Sequence, residues 1–240
     1  MHLNRRTLFA SAAAAGALTS STADAQADSA PIEPLARPAR GNIRVAFLVD
    51  RFHNIMDLAG SWEAFGSAGT DQQSFELYTV SPVRETLRLG GLQMLPDYTL
   101  DEAPQPHIVV MGAQSSRQGS DNNEAKSEWL RRIEPNADIL MSVCTGAFVL
   151  ARSGLIDGRL ATTHHEYYEA FERDFPQVQL VRNRRFVDNG KFVSAGGLTS
   201  GIDGTLHVIA RYFGADEAQR VAVYLEHYSD GWRTGVREVT

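Results

Sequence analysis

From residue 43 onward the chain alternates between short apolar runs and stretches of helical period. The run IRVAFLVD (43–50) is almost continuously β-branched or apolar, the pattern of a strand covered on both faces. FELYTVS (75–81), HIVVMGA (107–113) and DILMSV (138–143) have the same character. Between and after them, MDLAGSWEAFGSAG, EAKSEWLRRI, TGAFVLARSG and HHEYYEAFERDF carry apolar and small residues at helical spacing. RRFVD and KFVSA read as strands joined by Asn189-Gly190, a strong two-residue hairpin signal. GGLTSGIDGTLHVIARYFG reads as a Gly-rich turn feeding a long helix, and DEAQRVAVYLEHY as a final helix. Strands alternating with helices predict an α/β fold: a mostly parallel sheet with helices on both faces, in three layers. There are no internal repeats, and 43–240 reads as a single domain.

In such sheets, ligands sit beyond the carboxyl ends of the strands. The ends on offer are 50–57, Gly112-Ala113, Cys144-Thr145 and Gly196-Gly197, two of them carrying Gly, where backbone can approach a ligand closely.

The residues before 43 have a different character. NRRTLFASAAAAGALTSSTADAQA has paired Arg5 and Arg6, a modest apolar stretch and a small-x-small ending at Ala25-Gln26-Ala27. It reads as a twin-arginine-type export signal over 1–27, with the periplasm as destination. The apolar stretch is shorter than the roughly 20 residues a spanning helix needs, so no stable membrane association is expected after cleavage. The Pro- and Ala-rich residues 28–42 read as a flexible lead-in.

Charge narrows the function. A net charge of −6 argues against nucleic-acid binding, which needs a clustered basic face, and the RNRR stretch at Arg182 to Arg185 is too short to supply one. The chain has one cysteine, Cys144, so no internal disulfide is available. An unpaired thiol in an oxidising compartment is a liability unless it is buried or useful.

Ser142-Val143-Cys144-Thr145-Gly146 places that cysteine between a buried strand and a helix start, like a nucleophile elbow. A helix start there is expected to favour thiolate over thiol. The Thr145 N–H is the natural oxyanion donor, with Gly112 or Ala113 of the neighbouring strand end as its partner. The competing reading is a small buried hydrophobe. For a proton partner the residues leave Asp50 and Asp57 open, with helix capping the plain alternative for Asp57. His164 and His165 follow the short run LATT and are further candidates to approach the thiol. His165 and Glu169 stand i,i+4, but no third ligand at a recognisable spacing accompanies them, so no metal is expected. SAGGLTSGID lacks the Lys-Ser/Thr of a phosphate-cradling loop; no nucleotide or other cofactor is implied.

VCTGAFVLARSGLIDGRLATTHH followed by SAGGLTSGID resembles the ThiJ/PfpI superfamily, with its flavodoxin-like, class I glutamine amidotransferase-like fold. Within it, the resemblance is to the branch containing isonitrile hydratase and the amidase-like sensor domains of AraC-type regulators. MDLAGSWEAF is similar to that branch's acidic motif and aligns its functional aspartate with Asp57 rather than Asp50. The resemblance implies that Cys144 attacks an isonitrile carbon, that Asp57 handles protons and water, and that Thr145 assists, giving an N-substituted formamide. Gly112, Ala113, Gly146, His164 and Gly197 would line the oxyanion and substrate positions. It also implies a homodimer. The sequence departs from the branch at Gly60-Ser61, at Met111-Gly112-Ala113 and in the C-terminal HYSDGWRTG.

Two functions stand against each other on these residues. The first is an exported cysteine-dependent enzyme acting on a small molecule, a hydro-lyase of the isonitrile hydratase kind or a related hydrolase. The second is a non-catalytic protein that binds a small molecule or senses oxidants through Cys144. In the branch's regulators a DNA-binding domain follows, whereas this sequence stops at Thr240; together with export this makes a transcription role unexpected.

Overall fold

In the computed structural model, which describes residues 32–51, 54–89, 91–114 and 123–237, the apolar runs become neighbouring strands of one sheet. The first half contains β1 (Ile43–Leu48), α1 (Ile55–Gly66), β2 (Phe75–Ser81), β3 (Leu87–Leu89), β4 (Leu92–Met94), β5 (Tyr98–Thr99), β6 (Ile108–Met111) and α2 (Asn123–Ile133). The second contains β7 (Ile139–Val143), α3 (Gly146–Arg152), β8 (Leu160–Ala161), α4 (Tyr168–Asp174), β9 (Gln179–Leu180), β10 (Phe186–Asp188) and β11 (Phe192–Ala195). It closes with α5 (Ser200–Phe213), α6 (Ala215–Tyr224) and β12 (Val236–Arg237). The export-signal segment 1–27 and residues 28–31 of the lead-in lie outside the described residues.

The main sheet has the order β12-β10-β11-β7-β6-β1-β2-β5. Among the described residues its pairings are parallel except β10 with β11, the hairpin expected at Asn189-Gly190, where Gly190 takes φ +79°. The order β2-β1-β6-β7-β11 is that of a flavodoxin-like doubly wound sheet, whose direction of winding reverses between β1 and β6.

Alternate residues along each strand feed two separate cores. Val45 and Phe47 face one side with Leu58 and Phe65 of α1 and the apolar residues of α5 and α6. Ala46 and Leu48 face the other with Trp129 and Leu130 of α2, Phe148 of α3 and Phe171 of α4. The near-continuous apolar runs are thus explained by coverage on both faces. Phe148 meets Phe171 and Phe175 edge-on, with ring centroids 5.1 and 5.6 Å apart, and so fixes α4 against the helix that follows Cys144.

The structure differs from the periodicity in three places. The helix expected from His164 begins as a 3-10 turn at His165–Tyr167 and is α-helical only over Tyr168–Asp174, because the His164 ring caps it, accepting the Glu166 N–H. The last helix ends at Tyr224; Glu226 turns into the left-handed region, and His227 reaches the buried Asp203 carboxylate at 2.8 Å. The short hairpin β3–β4 and the edge strands β5 and β12 carry too few residues for a period to show. The lead-in, read as flexible, has no helix or strand over 32–42, yet it is tied to the domain. Its Leu35 N–H donates to the Arg211 carbonyl at 2.7 Å, and Ile32 and Leu35 pack against the core. No helix of the described residues is long and apolar enough to cross a membrane.

Candidate active site

Cys144 stands at the carboxyl end of β7 with φ +58°, a left-handed conformation that costs a non-glycine residue energy and turns its side chain out of the strand direction. The surrounding backbone holds it there. The Cys144 N–H donates to the Gly196 carbonyl at 2.7 Å, and the Cys144 carbonyl accepts from the Thr163 hydroxyl at 2.9 Å. Gly146 is required two residues on: a Cβ at that position would overlap the carbonyl oxygen of Met111, so only glycine lets α3 start this close to β6. The Ser-Val-Cys-Thr-Gly stretch is therefore an elbow in fact as well as in spacing.

Asp57 lies in the first turn of α1 and is 1% exposed. The capping role belongs to Asn54, whose side chain accepts the Met56 N–H at 3.0 Å, which leaves the Asp57 carboxyl free to turn inward. There Oδ2 accepts the Ala113 N–H at 2.9 Å, Oδ1 accepts the Leu198 N–H at 3.2 Å, and the Cys144 thiol completes the set. Ala113 also accepts the Asn54 N–H at 3.1 Å, so both of its backbone groups clamp the start of α1.

This corrects two expectations. Ala113 offers no free N–H to an oxyanion, because Asp57 has taken it. The backbone N–H groups of Thr145 and Leu198 act on the sulfur against burial; that of Leu198, which no side-chain pattern announces, is the one Asp57 Oδ1 accepts. Leu198 shares with Cys144 an unusual backbone, φ +53°, which aims its N–H into the site.

The second correction concerns charge. A helix start was expected to favour thiolate, yet α3 has only seven residues and Cys144 is 6% exposed. Burial first, and then the Asp57 charge, push the thiol up to about 12. Burial raises Asp57 to about 6 against the pull of its N–H donors and the thiol. At rest the pair is a thiol beside a carboxyl group that changes charge near neutral pH. Asp50, the other acidic candidate, is occupied elsewhere: its Oδ2 accepts from the buried Lys126 ammonium at 2.8 Å, and Lys126 also donates to Gln114 at 2.9 Å.

His164 follows Thr163, whose hydroxyl donates to the Cys144 carbonyl. Its ring covers Gly197, where a Cβ would run into it, which is why that position is glycine. His165 stacks on His164 with ring centroids 4.5 Å apart and is exposed. Among the described residues no group of three or more His, Cys, Asp or Glu side chains is placed to hold a metal ion. Asp203, from the Gly-Ile-Asp stretch, is fully buried and pairs with Arg185 and His227, tying the first turn of α5 to the C-terminal segment.

A strand–cysteine–helix elbow facing a buried aspartate at the carboxyl edge of a doubly wound sheet defines an α/β protein with a nucleophile-type cysteine site. The chain belongs to the DJ-1/PfpI family, whose model matches residues 43–211. It is 27% identical over 186 residues to isonitrile hydratase of Pseudomonas putida, covering 77% of this chain and 78% of that protein. It is 31% identical over 172 residues to the HTH-type transcriptional regulator GbdR of Pseudomonas aeruginosa, covering 70% of this chain but only 46% of the regulator's length. The fold matches a crystal structure of a ThiJ/PfpI family protein from Pseudomonas syringae at a TM-score of 0.64, with 22% identity over 82% of this chain and 84% of that one.

Proposed function

We propose that the protein is a cysteine-dependent hydro-lyase of the isonitrile hydratase kind, adding water to a small isonitrile to give an N-substituted formamide. One observation carries the reading: the Cys144 thiol, turned out at its elbow, faces the buried Asp57 carboxyl, which burial raises to about 6. An isonitrile carbon needs a proton and a nucleophile at the same atom, and this pair supplies both.

Protonated Asp57 gives its proton to the isonitrile carbon as the Cys144 sulfur bonds to it, and the thiol proton passes to the Asp57 carboxylate. A C–H and a C–S bond form, the S–H bond breaks, and Asp57 ends protonated again. Water then adds to the carbon of the thioimidate, one of its protons going to the nitrogen. As the C–S bond breaks, the hydroxyl proton returns to sulfur, leaving the formamide and the free thiol. The Thr145 N–H, which acts on the sulfur, stabilises charge that develops there.

A turnover panel of small isonitriles, comparing wild type with Cys144→Ala, tests this reading. Loss of turnover in the variant is the expected result; unchanged turnover removes Cys144 from the chemistry. The match to a transcriptional regulator favours a second reading, a small-molecule-binding domain without turnover. The buried, protonated thiol stands against an oxidant sensor.

Two further parts of the proposal rest on the sequence and its resemblance. Arg5-Arg6 and the Ala25-Gln26-Ala27 ending support export to the periplasm, which N-terminal sequencing of the protein from fractionated cells tests. The homodimer implied by the resemblance is tested by light scattering on the purified protein.

A further inference from the structure

A cleft of about 440 Å³ is lined by Thr163, Gly196 and Leu198, the residues whose backbone or hydroxyl groups bond to Cys144 and Asp57, while Cys144 and Asp57 themselves stand behind its lining. Its floor is the turn Gly196 to Leu198, the same turn that accepts the Cys144 N–H and donates to Asp57. Its walls carry His164, His165, Arg184 and Arg185, and no carboxylate lines it.

The three arginines of this loop have different fates. Arg182 is turned outward, paired with Glu169 and Glu172 and lying over the Tyr168 ring. Arg185 is turned inward, onto the buried Asp203 carboxylate. Between them Asn183 takes φ +58°, held by its N–H donating to the Tyr168 hydroxyl at 2.9 Å, and this left-handed step breaks the alternation of the chain. Arg184 is thereby delivered to the cleft, half-buried, and among the described residues its guanidinium has no ion pair and no hydrogen bond. The imidazole of His164 is held below the usual histidine range, first by burial and then by His165, so it adds no charge near pH 7. Among the described residues that line the cleft, Arg184 is the arginine whose guanidinium is left without an ion pair.

We propose that Arg184 and this cleft bind the carboxylate end of a small substrate whose other end reacts at Cys144. The assignment deepens the hydratase reading and rests on it: the substrate class becomes an isonitrile that carries a carboxylate. One guanidinium presents two parallel N–H donors that match the two oxygens of one carboxylate. The cleft has the volume of a small-molecule site rather than of a peptide groove.

Two measurements separate this assignment from the chemistry. Calorimetric titration with N-formylglycine and with its neutral amide reads the cleft alone. Wild type is expected to bind the carboxylate about tenfold more tightly than the amide, as one charge-assisted pair in a partly open site allows. Arg184→Gln is expected to bring that ratio close to one, and Arg184→Lys to keep part of it. Because the ratio is taken within each variant, a general loss of stability does not imitate the effect. Equal binding of the two probes by wild type, no binding of the carboxylate, or a ratio that survives Arg184→Gln overturns the assignment. Turnover of isocyanoacetate against its methyl ester reads the chemistry. Carboxylate selectivity in binding without turnover of either isonitrile supports the cleft and overturns the hydratase; turnover of both with no selectivity does the reverse.

Discussion

The Asp57 carboxyl faces the Cys144 thiol, and burial first, then that carboxyl, keep the proton on the sulfur. Both groups sit in a pocket that disfavours charge, so the site stores its proton rather than its nucleophile. That arrangement separates this site from one built around a standing thiolate, and its consequences are measurable.

The first is slow alkylation. A thiol held at about 12 instead of its ordinary value of 9.0 carries about a thousandfold less thiolate near neutral pH. Iodoacetamide at pH 7.5 is therefore expected to label native protein at least about 100-fold more slowly than protein unfolded in urea. Asp57→Asn, which removes the neighbouring charge, is expected to speed labelling of the folded protein. Equal rates in native and unfolded protein would mean that Cys144 ionises freely.

The second is a stability that depends on Asp57 and on pH. The folded-state pKa of about 6 lies above the ordinary 3.8, so between these values the native state holds the extra proton. Stability from this group is intact below about pH 4, falls as pH rises through the window, and levels off above 6. The fall amounts to roughly 3 kcal/mol, from a shift of about two units. Urea unfolding of wild type and Asp57→Asn at pH 4 and pH 7.5 checks it: the variant should lose this part of the pH dependence. An unchanged pH dependence would place the Asp57 carboxyl in solvent.

The third concerns the elbow itself. Gly146→Ala sets a methyl against the Met111 carbonyl, which neither α3 nor β6 has room to yield, and should cost at least about 3 kcal/mol in urea unfolding. Gly190→Ala in the β10–β11 hairpin is the control. Nothing lies within 4 Å of its Cβ, and only its positive φ is strained, at a cost of about 1 kcal/mol. Equal costs at the two sites would contradict the close approach of α3 to β6.

Much of this was legible in the residues because it depends on side chains. Continuous apolar runs such as 43–50 reveal a two-sided core, and Cys144 between a strand and a glycine reveals the elbow. Asp57 was legible through its motif, although its carboxyl points at the thiol only because Asn54 takes over the cap. What stayed hidden is backbone. The Leu198 N–H leaves no trace in the sequence, and the glycines before it drew attention to themselves although they serve the His164 ring and the elbow carbonyl. Ala113 looked like a free donor because spacing gives its place at a strand end but not the partner of its N–H. The charge state of the thiol is hidden for a related reason: a helix start is visible in sequence, whereas burial and the approach of Asp57 from α1 are tertiary facts.

The central claim, that protonated Asp57 works together with a neutral Cys144 thiol, is tested most directly by the pH dependence of kcat/KM for a simple isonitrile. The expected profile is level below about pH 6 and falls about tenfold per pH unit above it, as Asp57 loses the proton it must give. A profile that instead rises with pH and levels off between about 8 and 9 is that of a free thiolate nucleophile, and would contradict the account.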